Sequence, residues 1–292
     1  MGKFIIEGGH RLSGRVKVQG AKNAALPVLA ATVMSRGEMT LFNCPEIRDV
    51  HNMLSILREL GVESYYDGDA LKISGRNARS SPMPQRLSKE LRSSIFMLGP
   101  LLSRFGEAVC AYPGGCEIGH RPVDLHLKGL AALGADIREE RGYIICDGRN
   151  MHGGEIHLDY PSVGATENIM MAAAAVPGDT VITNSAREPE IEELQNFLNS
   201  IGGDIRGAGT STIYIKGGME EVPAAAHRIM PDRIVASTLA CAAAACGGDV
   251  ELRGVDPAHF STVLYFLNQS GCDIISNKRS VRLISDGRLK AV

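Results

Sequence analysis

A chain of 292 residues with 44% hydrophobic content and a formal net charge of -2 is long enough to bury one large core or two ordinary ones. With no tryptophan and 5% aromatic residues, it offers neither the cationic surface nor the stacking groups that nucleic-acid binding needs, so nucleic acid is set aside as a partner. No apolar run approaches the roughly 20 residues that span a bilayer, and the opening MGKFIIEGGHRLSG lacks the marks of a signal peptide, so the expectation is a cytoplasmic protein with no membrane partner.

In chain order, the first predicted strand is GRVKVQG (14–20), read as the front strand of a first repeat. QGAKNAALP (19–27) then opens an Ala-rich helix, NAALPVLAATVMS, followed by a strand, a second helix ending at Leu60, and a hairpin whose second arm is DALKISGR. The order recurs. SSIFMLGPLLS, TENIMMAAAAV and IVASTLACAAAA are further small-residue helices, apolar on nearly every face as an enclosed helix must be. GEIHLDY is the front strand of the third copy, and GYIICDGR, STIYIKGG and SVRLISDGR are the later hairpin arms. Gly61, Gly134, Gly202 and Gly271 each close the second helix of a copy, at a period of roughly 70 residues. The chain is therefore an α/β protein of four repeated βαβαββ units.

Seven cysteines, with no CxxC pair and no histidine at zinc spacing, predict reduced thiols and no metal site. Cys146 lies in an apolar strand, and Cys241 and Cys246 in an Ala-rich helix, so all three are expected to serve packing. Cys116 differs. It stands in YPGGCEIGHRPVDLHL, a connection that the second repeat has enlarged with two glycines, and His120 and Arg121 follow it just before a helix with Pro122 in its first turn. Taken alone, a turn cysteine is usually inert. A neighbouring cation and a helix N-terminus both lower a thiol pKa, which favours a nucleophile or proton donor. Lys22 and Asn23 at the mouth of the first enclosed helix, Arg92 at the start of its counterpart, and PSVGATEN (161–168) at the third suit a phosphorylated ligand, although capping alone also places such residues there. No P-loop, GxGxxG after a strand, HExxH or GxSxG occurs.

GAKNAALP, LRSSIFMLGPL, PGGCEIGHRPVDLH, SVGATENIMMAA, AREPEIEELQNFL and PDRI resemble the enolpyruvyl transferase family, and within it the UDP-N-acetylglucosamine 1-carboxyvinyltransferases. The resemblance implies an inside-out α/β prism in which this chain holds four of six repeats. Residues 22–230 would form a complete three-repeat domain carrying the cysteine loop, and 1–21 with 231–292 a partial second domain. It implies transfer of the enolpyruvyl group of phosphoenolpyruvate to the 3-hydroxyl of UDP-N-acetylglucosamine with release of phosphate, the first committed step of peptidoglycan synthesis, with no cofactor. Cys116 would protonate the enol carbon, and Lys22 and Arg121 would hold phosphoenolpyruvate. Asn23, Arg92, Arg121, Pro122, Val123, Asp124, Leu125, Ser162, Val163 and Gly164 would hold the nucleotide sugar. The sequence stops at GRLKAV, before the FPTD-like motif that carries the family's proposed base. A UDP-sugar binding module or an inactive fragment is therefore the alternative expectation, with a complementing C-terminal chain as a further partner. Tyr160 stands where some members carry lysine, and Val235 follows PDRI where an acidic residue is usual.

Overall fold

The structure, a computed structural model, describes residues 3, 5–80, 82–113, 123–219 and 224–292. The chain divides into two compact units, Lys22–Met230 and Met1–Ala21 with Pro231–Val292.

In the larger unit the first repeat runs α1 (Lys22–Ala31), a 3-10 turn (Thr32–Met34), β2 (Glu38–Phe42), α2 (Arg48–Glu59), β3 (Glu63–Asp67) and β4 (Ala70–Ser74); β1 (Leu12–Lys17) precedes it in the other unit. The second has α3 (Gln85–Glu90), a 3-10 turn (Arg92–Met97), α4 (Leu98–Phe105), β5 (Glu107–Ala111), α5 (Asp124–Ala132), β6 (Asp136–Glu140) and β7 (Tyr143–Asp147). The third has β8 (Glu155–His157), α6 (Val163–Ala175), β9 (Thr180–Thr183), α7 (Pro189–Ser200), β10 (Asp204–Arg206) and β11 (Thr212–Lys216), and β12 (Ala224–Arg228) follows. The smaller unit continues with α8 (Arg233–Cys246), β13 (Gly248–Arg253), a 3-10 turn (Pro257–Phe260), α9 (Ser261–Gln269), β14 (Asp273–Asn277) and β15 (Ser280–Ser285).

The four repeat glycines have one local cause. Gly61, Gly134, Gly202 and Gly271 follow the last residues of α2, α5, α7 and α9, and all have positive φ, between 84° and 111°. A helix that must stop and turn back into a strand needs a left-handed residue there, and only glycine adopts it without a Cβ clash.

Each repeat contributes one sheet, in the orders β12-β2-β4-β3, β5-β7-β6, β8-β9-β11-β10 and β1-β13-β15-β14. Three of the sheets share a rule: the front strand runs parallel to the strand after the central helix, β12 beside β2, β8 beside β9 and β1 beside β13. This corrects the sequence reading twice. GRVKVQG does not front the first repeat; Leu12 to Lys17 pair in register with Gly248 to Arg253 of the fourth. The first repeat is fronted instead by β12, from the far end of the larger unit, where Ala224 lies opposite Glu38 and Arg228 opposite Phe42. Alanine has low strand propensity, so AAAHR gives no local signal, and tertiary pairing decides its conformation.

In the larger unit the helices lie inside. Residues 24–31 of α1 and 165–174 of α6 are all buried, as their small side chains predict. The second central helix is not the single helix read from SSIFMLGPLLS: Arg92–Met97 is 3-10 and the α-helix starts at Leu98. Pro100 has no N–H for the carbonyl of Phe96, so that carbonyl lacks its α-helical donor where the 3-10 turn meets α4. α8 also departs from expectation. Ala236, Ala240, Ala243 and Ala244 face the core of the smaller unit, with Val250, Leu252, Phe260 and Leu283, while Ile234, Thr238, Cys241, Ala245 and Cys246 are exposed. Cys241 and Cys246 therefore do not pack into that core. Among the described residues, no helix is long and apolar enough to cross a membrane.

Candidate active site

Three helix starts in the larger unit converge on one cleft of about 270 Å³. Asn23 and Leu26 come from α1, Arg92, Ser93, Ile95 and Phe96 from the 3-10 turn before α4, and Ser162, Val163, Gly164 and Glu167 from the start of α6. Helix starts present backbone N–H groups that lack intrahelical partners, together with the positive end of the dipole. Arg92 adds a full positive charge, so the cleft suits an anionic ligand. Pro27, inside α1, has no N–H to donate to the carbonyl of Asn23.

Ser162 is the N-cap of α6, its hydroxyl accepting from Ala165 N at 3.3 Å. Gly164 is closely packed, since a Cβ there would stand 3.1 Å from ring carbons of both Phe96 and His126. Lys22 stands beside the cleft at the first position of α1 and pairs with Asp49, in the first turn of α2, at 3.0 Å. Val123, Asp124 and Leu125 do not line the cleft; they form the first turn of α5, which continues into His126 beneath Gly164. Cys116, His120, Arg121 and Pro122 lie outside the described residues.

Beneath the cleft lies a polar network that sequence reading missed. Asn168, fully buried on α6, accepts from Gly99 N at 2.6 Å through its Oδ1. Its Nδ2 donates to Ile95 O at 2.9 Å and to His126 Nδ1 at 3.1 Å. One amide thus ties the first turn of α4, the 3-10 turn and α5 to α6. Since an amide nitrogen only donates, His126 Nδ1 accepts, and the ring proton sits on Nε2. The available signal was two polar residues, Glu167 and Asn168, in a helix otherwise too apolar to face water.

Burial, with Arg92 adding to it, brings the His126 pKa down to about 4. The unfolded chain, with a histidine near 6.5, binds more protons than the folded one between those values, so stability is lost as pH falls from about 6.5 toward 4. At about 1.4 kcal/mol per pH unit, this one group contributes at most about 3 kcal/mol. His126→Gln should flatten the fall in thermal midpoint between pH 7 and pH 4, and an unchanged slope would refute this assignment.

The described cysteines include no activated thiol beside the cleft. Burial pushes Cys44 and Cys146 up to about 12, with Glu46 adding to the shift at Cys44. Cys146 is 1% exposed, as a packing residue should be. The larger grooves on the outer sheet faces, such as the one bordered by Arg138, Asp147 and Arg149, are lined by exposed ion pairs and open to water.

Comparison with known proteins gives concordant results. The family described as EPSP synthase (3-phosphoshikimate 1-carboxyvinyltransferase) matches residues 6–292. UDP-N-acetylglucosamine 1-carboxyvinyltransferase 2 of Caldanaerobacter subterraneus subsp. tengcongensis is 47% identical over 292 residues, covering 100% of this chain and 70% of the relative. UDP-N-acetylglucosamine 1-carboxyvinyltransferase 1 of Carboxydothermus hydrogenoformans is also 47% identical, over 100% of this chain and 69% of its own length. Among solved structures, the enolpyruvyl transferase NikO from Streptomyces tendae superposes with a TM-score of 0.84 at 22% identity, covering 96% of this chain and 67% of that one. An EPSP synthase from Acinetobacter baumannii gives 0.73 at 22% identity, covering 96% and 66%.

Proposed function

The chain belongs to the EPSP synthase (3-phosphoshikimate 1-carboxyvinyltransferase) family, and on that premise we propose that it transfers the enolpyruvyl group of phosphoenolpyruvate to the 3-hydroxyl of UDP-N-acetylglucosamine, releasing phosphate. The observation that carries this choice of acceptor is the 47% identity, over the whole chain, to relatives named for that reaction. The likeness to EPSP synthase structures at 22% identity supports the fold alone. The cleft agrees with the proposal, being cationic, polar-rimmed and built from helix starts.

In this reading the two compact units are a complete three-repeat domain and part of a second domain. Asn23, Arg92, Ser162, Val163 and Gly164 hold the nucleotide sugar, with Pro122, Val123, Asp124 and Leu125 completing its contacts. Lys22 and Arg121 hold the phosphate and carboxylate of phosphoenolpyruvate and stabilise the charge that develops on them. Cys116 gives its proton to C3 of the enol while the sugar 3-hydroxyl adds to C2 and passes its own proton to solvent water. Return of a C3 proton to the Cys116 thiolate then breaks the C2–O bond to phosphate, expels phosphate and restores the enol double bond. The product would enter peptidoglycan synthesis in the cytoplasm.

The chain spans about seven-tenths of the length of these curated relatives, so the test measures binding and turnover separately. With both substrates saturating, wild-type protein should release phosphate, Cys116→Ala should not, and shikimate 3-phosphate should fail to replace the nucleotide sugar. Binding of UDP-N-acetylglucosamine without phosphate release would favour the alternative, a nucleotide-sugar binding module. Phosphate release only with shikimate 3-phosphate would overturn the choice of acceptor.

A further inference from the structure

The wall of the cleft contains a carboxyl that the proposed contacts leave unused. Glu167 is 1% exposed, lines the cleft from the second turn of α6, and among the described residues neither of its oxygens has a hydrogen-bond partner. A buried carboxyl without partners is costly, and native structures rarely carry one without a use for it. Ionisation there would meet further negative charge, because Glu190 and Glu188, at the start of α7, reinforce the effect of burial and push its pKa well above the usual carboxylate range. Burial and these neighbouring carboxylates thus favour the protonated form, which has an O–H to give.

We propose that Glu167 is a further ligand-reading residue of this cleft, its carboxylic O–H donating a hydrogen bond to an acceptor oxygen of the bound nucleotide sugar. The inference rests on the nucleotide-sugar reading above and adds a specificity rule to it. Diphosphate, uracil and acetamido groups all present acceptor oxygens, which a neutral acid can serve and an ionised one would repel. Every other polar side chain of the cleft lies nearer the solvent; Glu167 would read the part of the ligand that enters deepest, where an unmade hydrogen bond discriminates most strongly.

The test is calorimetric titration of wild type, Glu167→Gln and Glu167→Leu with UDP-N-acetylglucosamine, alongside thermal unfolding of each free protein. Leucine is of similar volume and cannot donate, so its Kd should rise by roughly tenfold or more. Its unfolding midpoint should match or exceed that of wild type, because an unpartnered carboxyl is gone. Glutamine retains an N–H donor and should stay within about threefold of wild type. A Glu167→Leu protein that binds as tightly as wild type overturns the contact alone. A wild type that does not bind overturns the nucleotide-sugar reading, and this contact with it. Should Glu167→Leu fail to fold, the carboxyl carbon resonance of Glu167 in wild-type protein decides: it should show the protonated form at pH 7 and move on saturation with the ligand, and a resonance unmoved by ligand overturns the proposal.

Discussion

Asn168→Leu should lower the stability of the larger unit by about 3–5 kcal/mol, a loss seldom reached by single substitutions and reserved for broken buried networks. The reason is the number of groups orphaned at once. Leucine fills the space but leaves Gly99 N–H and His126 Nδ1 buried without their partner, each at a cost of about 1–3 kcal/mol. Ile95 O suffers less, because it also accepts from Leu98 N. For a unit of this size the thermal midpoint should fall by roughly 10 °C. Asn168→Asp supplies the contrast. Its carboxylate still accepts from Gly99 N, but its second oxygen faces Ile95 O and the lone pair of His126, so the variant should recover stability as acidification protonates the carboxyl or the ring. A midpoint for Asn168→Leu within about 2 °C of wild type would show that the network adds nothing.

The same network explains which parts of the site were legible in the sequence. The repeat was legible because its punctuation is local: a glycine of positive φ after α2, α5, α7 and α9. The helix starts were legible too, since capping and charge leave short-range signatures, and Asn23, Arg92, Ser162, Val163 and Gly164 do share one cleft. Long-range pairing left no such mark. β12 pairs with β2 across most of the larger unit, and nothing in AAAHR says so. The enclosed character of α6 was read from its small residues, whereas the use of Asn168 inside it depends on three partners separated by tens of residues in sequence. α8 has the same Ala-rich composition as α6 yet exposes Cys241 and Cys246, because composition marks a helix that can be enclosed and the surrounding elements determine whether it is.

Lys22→Ala should separate binding from folding more sharply than any other change at the cleft rim. The Lys22–Asp49 pair is about half exposed at the lysine and a third at the aspartate, and pairs so placed contribute at most about 1 kcal/mol to stability. Removal of the ammonium should therefore leave the melting midpoint nearly unchanged. The proposed reaction gives a different magnitude, because the phosphate of phosphoenolpyruvate takes up the electron pair of its C2–O bond as it is expelled, and a cation beside it stabilises that charge. A preorganised cation removed from such a site costs about 10²–10³ in rate. Asp49→Asn tests the other half of the pair. If Asp49 only aims the ammonium, its loss should raise the KM for phosphoenolpyruvate several-fold with little change in kcat, since the amide still accepts from Lys22. Lys22→Arg should restore little, because a planar guanidinium replaces a compact charge beside α2. A Lys22→Ala protein with kcat/KM within fivefold of wild type would remove Lys22 from the reaction and leave its pairing with Asp49 as ordinary surface electrostatics.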